Sequence, residues 1–421
     1  MSHPNDSNRL EATSGCFQRL RDELWARIRP RGKSNNYLVN SVTLRSFSLG
    51  EVALFLGVSG SYLRQLSIDG LGPTPQLGTA GRRSYTLGQI NELRAYLASA
   101  RPKEALKFWP RRRMGEKLQI ILIAGNHEGT TTSLYLTQGL AIKGFRVLAI
   151  DLDPLGSLSE MFGYLPIMAP DNSSIYAAIR YDRLQTSIRS VIKPTHFDGL
   201  DLVPGSSELD EFENESSRRY FNESLSCPDA SFRIVSALKE VEGDYDVVVV
   251  HWAPENIFLA AGALEAATGV LVAVRPQAPS IVLLTMVLNK FSHLDSLIKK
   301  AGRSVKHDFI KFLVTEHDPR DVSAQEEVTM LRESLADHLL SATVWESEAI
   351  RLAWKKGRSL YELSSGAVGR SAYEKAIETL NSANAEIMDT ICAVWGRAPL
   401  YVSQASQSST AGKASAHSRG T

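Results

Sequence analysis

The stretch from 118 to 155, LQIILIAGNHEGTTTSLYLTQGLAIKGFRVLAIDLDPL, constrains the fold more than any other part of the chain. It reads as a buried strand (Leu118 to Ala124), a polar turn with glycines at both ends (Gly125 to Gly129) and a helix opening on Thr130-Thr131-Thr132. A second buried strand follows (Arg146 to Leu152), with Asp151 and Asp153 at its end. Strand, tight loop, helix and strand make a βαβ unit, and a loop feeding a helix N-terminus is where proteins hold phosphate. Such loops normally carry a lysine, and this one has none.

The rest of the chain extends the same pattern. Strands are expected at 118–124, 146–152, 199–203, 245–251, 269–275, 310–315 and 341–345. Amphipathic helices are expected at 130–143, 231–241, 279–301, 325–338 and 370–392. Alternating strands and helices predict an α/β fold with a mostly parallel sheet and helices on both faces. Ligands of such sheets bind at the carboxyl ends of the strands. The 421 residues suffice for two or three domains. Apolar runs such as Val247 to Val250 have strand length, which predicts no membrane partner. A polar Met1 to Leu10 and the scattered Cys16, Cys227 and Cys392 predict a cytoplasmic protein without a disulfide frame.

Charge is unevenly spread. Residues 1–117 hold 19 Lys+Arg against 9 Asp+Glu, about +10 on a chain whose net charge is +1. A basic N-terminal block predicts an anionic partner, most simply DNA. Within it, Cys16 to Arg29 has helical spacing (Phe17, Leu20, Leu24, Ile28) and suits either a docked helix or a dimer-forming arm. RSFSLGEVALFLGVSGSYLRQLSIDG (45–70) reads as two short helices around Gly57-Val58-Ser59, with Ser48 and Glu51 as a capping box. That is a helix-turn-helix; its second helix would present Ser61, Arg64 and Gln65 to bases and phosphates. Gly81-Arg82-Arg83-Ser84-Tyr85 then forms a basic wing, in the order of winged MerR-type modules. The expected layout is an arm (1–44), a winged helix-turn-helix (45–100), a basic linker (101–117) with Arg111-Arg112-Arg113, an α/β domain (118–396) and a disordered Ser/Ala/Gln-rich tail (397–421).

Residues 45 to about 392 resemble the RepA partition proteins of repABC-type plasmids, members of the ParA/MinD deviant-Walker P-loop ATPases. The resemblance is carried by RSFSLGEVALFLGVSGSYLRQLSIDGLGPTP, GRRSYTLGQINELRAYLA, GFRVLAIDLDP, FDGLDLVPG, YDVVVV and ATGVLVAVRPQ. It implies a P-loop NTPase fold, a DNA-binding N-terminal module, an ATP-dependent homodimer and a ParB-type partner. It also implies a phosphate loop of the form Lys-Gly-Gly-x-(Gly/Ala)-Lys-Thr-Thr. Aligned on Thr130-Thr131, the chain has Ala124 for the signature lysine, Glu128 for a small residue and Gly129 for the lysine that clamps phosphate. Gly125, Gly129, Thr130, Thr131 and Pro276 remain as nucleotide-binding candidates, with Thr130 as the Mg²⁺ ligand. Asp151 and Asp153 match the motif that positions the attacking water, although Leu155 replaces the usual glutamine. His251 stands where the resemblance implies a Mg²⁺-holding aspartate. These changes predict ATP·Mg binding that is weak or absent, on a partition-type fold; an active ATPase with a divergent loop, and a repressor or modulator of an intact relative, are the alternatives.

What was gained is also chemistry. His127, His251, Asp151 and Asp153 all fall at strand ends, and two imidazoles with two carboxylates make a transition-metal set. The alternative is that these substitutions arrived together without consequence. Lys355, Lys356 and Arg358 form a second basic cluster, suited to DNA or simply to a solvated turn.

Overall fold

The computed structural model describes residues 15–24, 26, 43–78, 81–125, 127–166, 170–222, 227–253 and 256–402. Met1–Ser41 and Val42–Thr421 are two compact units. In the first, residues 15–24 are helical with Phe17, Leu20 and Leu24 exposed. Ile28, expected on the same face, lies outside the described residues.

The second unit holds two sheets. The small one joins β1 (Phe47–Ser48), β2 (Gln76–Leu77) and β3 (Arg83–Tyr85) in the order β1-β3-β2, all antiparallel. The large one contains β4 (Gln119–Ala124), β5 (Val147–Asp151), β6 (Lys193–Pro194), β7 (Leu200–Val203), β8 (Val247–Trp252), β9 (Gly269–Val274) and β10 (Phe309–Val314). Its order is β10-β9-β4-β8-β5-β7-β6, parallel throughout except for the β6–β7 pair. Every residue of β5, β8 and β9 is buried, as expected of central parallel strands covered on both faces. β4 lies between β8 and β9, so the loop after Ala124 and the ends of β5 and β8 open on one edge of the sheet.

Three expectations need correction. No strand forms at 341–345: the N–H groups of Ser341 and Ala342 go to the Glu386 carboxylate at 3.0 and 2.8 Å, and only isolated bridges reach Leu339 and Trp345. Residues 101–117 are not a free linker. Phe108 is fully buried, Arg111 stacks 3.9 Å over the Trp109 ring, and the Arg112 backbone N–H donates to Asp246 at 3.0 Å. Residues 397–402 are not a disordered tail, and the rest of the expected tail, 403–421, lies outside the described residues. Arg397 donates to the backbone oxygens of Pro110 and Arg111 and pairs with Glu116, while Asp389 accepts the N–H groups of Leu400, Tyr401 and Val402. The helix Ala278–Lys300 has the length and composition to cross a membrane, and Leu284, Phe291, Leu294 and Ile298 bury one side of it in the core.

The helix Leu87–Ala100, which closes the winged segment, is also fixed to the large sheet's layer. Arg94 is 1% exposed and donates to Ile142 O at 2.7 Å, at the C-terminus of the helix His127–Lys143. A cation there meets the negative end of the helix dipole. Gly144 makes room for it: its φ is +98°, and a Cβ would lie 2.8 Å from Arg94 Cδ.

Candidate functional site

The helix that opens the βαβ unit starts at His127, three residues before the expected Thr130. Glu128 therefore lies in its first turn, where the positive end of the dipole favours an anion. Its carboxylate pairs with Arg275 (Oε1 to Nε, 2.8 Å), a contact that is ionic rather than an aligned hydrogen bond. The other side of the Arg275 guanidinium reaches Glu316 at 3.0 Å. Gly125 takes φ +143°, and a Cβ on it would lie 3.0 Å from the Gly129 nitrogen and 3.2 Å from Ala273 O, so only glycine fits this turn. Ala124, the last residue of β4, is fully buried.

β5 and β8 run in register with Asp151 opposite His251, which places both side chains at one end of the sheet. Asp151 is fully buried. Its Oδ2 accepts from the Ser159 N–H and hydroxyl at 2.8 and 2.7 Å, and its Oδ1 from the Asp153 N–H at 3.1 Å. Burial pushes its carboxyl up to about 7, the Ser159 hydrogen bonds oppose this, and the Asp153 charge adds to the rise. Asp153 caps the next turn, accepting from Leu155 N–H at 2.9 Å, Ser157 N–H at 3.2 Å and the Ser157 hydroxyl. His251 is 1% exposed, with Nε2 3.2 Å from Thr130 Oγ1 and Nδ1 without a partner among the described residues. Burial pushes its imidazolium down to about 4, against the pull of Asp153, so the ring is neutral at neutral pH.

A cavity of about 270 Å³ opens beside the helix start, lined by His127, Thr131, Tyr135, Arg275, Trp345 and Trp354 among others. The His127 ring packs on Trp354 with centroids 5.1 Å apart. The sequence-derived set of four metal-binding residues is thus reduced to three: Asp151, Asp153 and His251 meet, and His127 faces the cavity. Pro276 is buried and does not line the cavity; its neighbour Arg275 does. Arg275 went unnoticed in the sequence, because its partners Glu128 and Glu316 are distant along the chain.

In the winged segment, Ser48 and Glu51 form the expected capping box on Leu49–Leu56. Gly57 then turns in the left-handed region (φ 61°), and Ser59 caps Gly60–Ile68 through the Tyr62 N–H. Leu63 and Leu66 face inward, while Ser61, Arg64 and Gln65 are exposed together. Gln65 holds Asp69 at 2.7 Å. β2 and β3 form the wing. Arg82 is exposed in it, whereas Arg83 is half-buried and donates to Ser67 at 3.4 Å. In the C-terminal cluster, Lys356 caps Ala367 O at 2.9 Å and Arg358 pairs with Glu362 at 3.2 Å.

A protein named as a replication protein A in Sinorhizobium fredii is 40% identical over 360 residues, covering 84% of this chain and 88% of its own length. The chain belongs to the ParA/MinD-like P-loop family. A second replication protein A, from Rhizobium rhizogenes, is 34% identical over 84% of this chain and 88% of the relative. Protein SopA of Escherichia coli is 27% identical over 81% and 84%. The AAA-domain family profile matches residues 118–302. A solved structure described as a partition protein shares the fold, with a TM-score of 0.65 at 14% identity, covering 92% of this chain and 99% of that one. At the positions where the family resemblance implies two lysines and an aspartate, the fold has built in a buried alanine, a bare glycine and a buried neutral imidazole.

Proposed function

We propose that this ParA-like protein acts in plasmid partition as a DNA-binding protein whose nucleotide site no longer turns over ATP. One observation carries the second half of this reading. The helix N-terminus that would receive phosphate carries a carboxylate in its own first turn, Glu128, paired with Arg275. A nucleotide's phosphates would have to displace or face that anion, with neither lysine to compensate. Thr130, the candidate Mg²⁺ ligand, has its hydroxyl against His251, and a neutral imidazole, with one acceptor nitrogen and no charge, is a poor replacement for the carboxylate that accepts from metal-bound water. The residues present therefore do not fit ATP·Mg.

The DNA-binding half rests on exposed Ser61, Arg64 and Gln65 on a capped second helix, with Arg82 on the adjacent wing. A helix presented after a glycine turn suits the major groove, and an arginine on a wing suits phosphate. Partition also implies a ParB-type partner, homodimerisation and location with the plasmid in the cytoplasm; we include these in the proposal.

Gel retardation on the parent plasmid's operator and partition DNA, with and without ATP·Mg, tests the reading. The expected result is a shift that ATP·Mg leaves unchanged and that Arg64→Ala weakens. A shift that appears only with ATP·Mg overturns it. So does wild-type DNA binding by both Arg64→Ala and Arg82→Ala.

A further inference from the structure

The three residues that meet at the ends of β5 and β8 have a chemistry of their own, separate from phosphate. One ligand atom from each of Asp151, Asp153 and His251 lies within 4.8 Å of the others, and all three residues are buried. We infer that Asp151, Asp153 and His251 form a binding site for a divalent transition-metal ion of the zinc class, occupied without nucleotide.

The hydrogen bonds around the cluster support this. His251 Nε2 is engaged by Thr130 Oγ1, which orients the ring, while Nδ1 has no partner among the described residues despite burial. Buried ring nitrogens are normally paired, and an orphan one points to a missing ligand. A metal-bound histidine characteristically has its second nitrogen held by a neighbouring oxygen, the arrangement found here. Each carboxylate likewise keeps one oxygen with a single donor among the described residues: Asp151 Oδ1 accepts from Asp153 N–H, and Asp153 Oδ1 from Leu155 N–H. An ionised carboxylate oxygen with one donor retains a lone pair for a cation. The more heavily bonded oxygens fix the geometry: Ser159 bridges Asp151 Oδ2 and the Gly205 N–H, and Ser157 holds Asp153 Oδ2. Ligating carboxylates in metal sites are anchored in this way.

Ligand type and size set the class. One imidazole nitrogen with two carboxylate oxygens suits zinc and its neighbours better than Mg²⁺, which prefers oxygen and retains its waters. Tetrahedral ligands at about 2.1 Å from zinc are roughly 3.4 Å apart, so the outermost pair at 4.8 Å must close by about 1.4 Å. Gly129 favours the site, because no side chain there covers the Nδ1 edge: even a Cβ would approach Nδ1 to 3.7 Å. Three protein ligands leave a fourth position for water.

The test uses the full chain, stripped with a chelator and confirmed folded by circular dichroism. Zinc chloride is titrated by calorimetry without nucleotide, and cobalt(II) chloride is followed by its visible absorption. The expected result is one equivalent of zinc per chain, a tetrahedral cobalt spectrum and no matching heat from magnesium chloride. His251→Ala and Asp153→Asn should each weaken zinc at least tenfold, while His127→Ala should leave it unchanged. If His251→Ala does not fold, His251→Gln retains a group of similar polarity and removes the ring nitrogen. Absence of stoichiometric zinc in the folded wild type overturns the proposal. Retention of affinity in His251→Gln, loss of affinity in His127→Ala, or equal affinity for Mg²⁺ also overturns it.

Discussion

If charge is what the phosphate site has lost, restoring charge should restore affinity. The variant that isolates this is Glu128→Gly with Gly129→Lys. Glu128 is a good position to change: its side chain is only 11% exposed, so water screens it little. A Cβ at 129 is accommodated, since it would meet Ala124 C and His251 Cε1 at 3.5 Å and His251 Nδ1 at 3.7 Å, all ordinary contacts. The helix-propensity loss of one swap is largely offset by the gain of the other. Removing Glu128 also frees one side of Arg275, which keeps Glu316 at 3.0 Å. A unit charge about 4 Å from a phosphate at an effective dielectric near 20 is worth about 4 kcal/mol. Discounting fourfold for screening leaves about 2 kcal/mol for the two-unit change, or roughly 30-fold in Kd. Ala124→Lys is left out, because Ala124 is fully buried and an ammonium there would have to leave water. Affinity for ATP·Mg is read by calorimetry. A folded double variant within about threefold of wild type would refute the charge argument and place the defect in the loop backbone.

Other consequences can be measured directly. Arg94→Met should destabilise the protein by about 3 kcal/mol, since it leaves the buried Ile142 carbonyl unpaired, and Gly144→Ala by about 2 kcal/mol; urea unfolding reads both. Burial alone would raise the Glu362 carboxyl, but hydrogen bonds from His196, Ser359 and Arg358 together hold it below the ordinary range. A depressed carboxylate contributes stability above its unfolded value and loses it as pH falls through its folded one. Glu362→Gln should therefore flatten the acid limb of the stability profile below about pH 4.5. In DNA titrations, Arg82→Ala should reduce the salt slope by about 1 with little change in sequence preference, while Arg64→Ala should also relax preference.

Six of the seven expected strands and the two short helices at 49–56 and 60–68 were legible in the sequence because local pattern determines them. β8 and β9 are apolar runs that only a covered parallel strand can bury, and Ser48, Glu51, Gly57 and Ser59 punctuate two short helices. The start of the central helix was misread because His127 and Glu128 do not resemble helix openers. Glu128 is stabilised there by Arg275, which no local window contains. The same limit applies to residues 341–345, whose N–H groups are claimed by Glu386, and to residues 101–117, whose basic residues are held by distant partners such as Asp246. At the site, register alone brings Asp151 to His251 and was readable in principle. The departure of His127 toward Trp354 was not.

Whether this ParA-like chain kept a phosphate site in shape and lost it in charge is tested most directly on the unmodified protein. Full-length chain is titrated with ATP in the presence of Mg²⁺ by calorimetry. No saturable binding is expected up to about 1 mM ATP, because only contacts too weak for a tighter Kd remain. Saturable one-site binding at about 10 μM or tighter, dependent on Mg²⁺, would contradict it, and would mean that Glu128 and Arg275 part to admit phosphate.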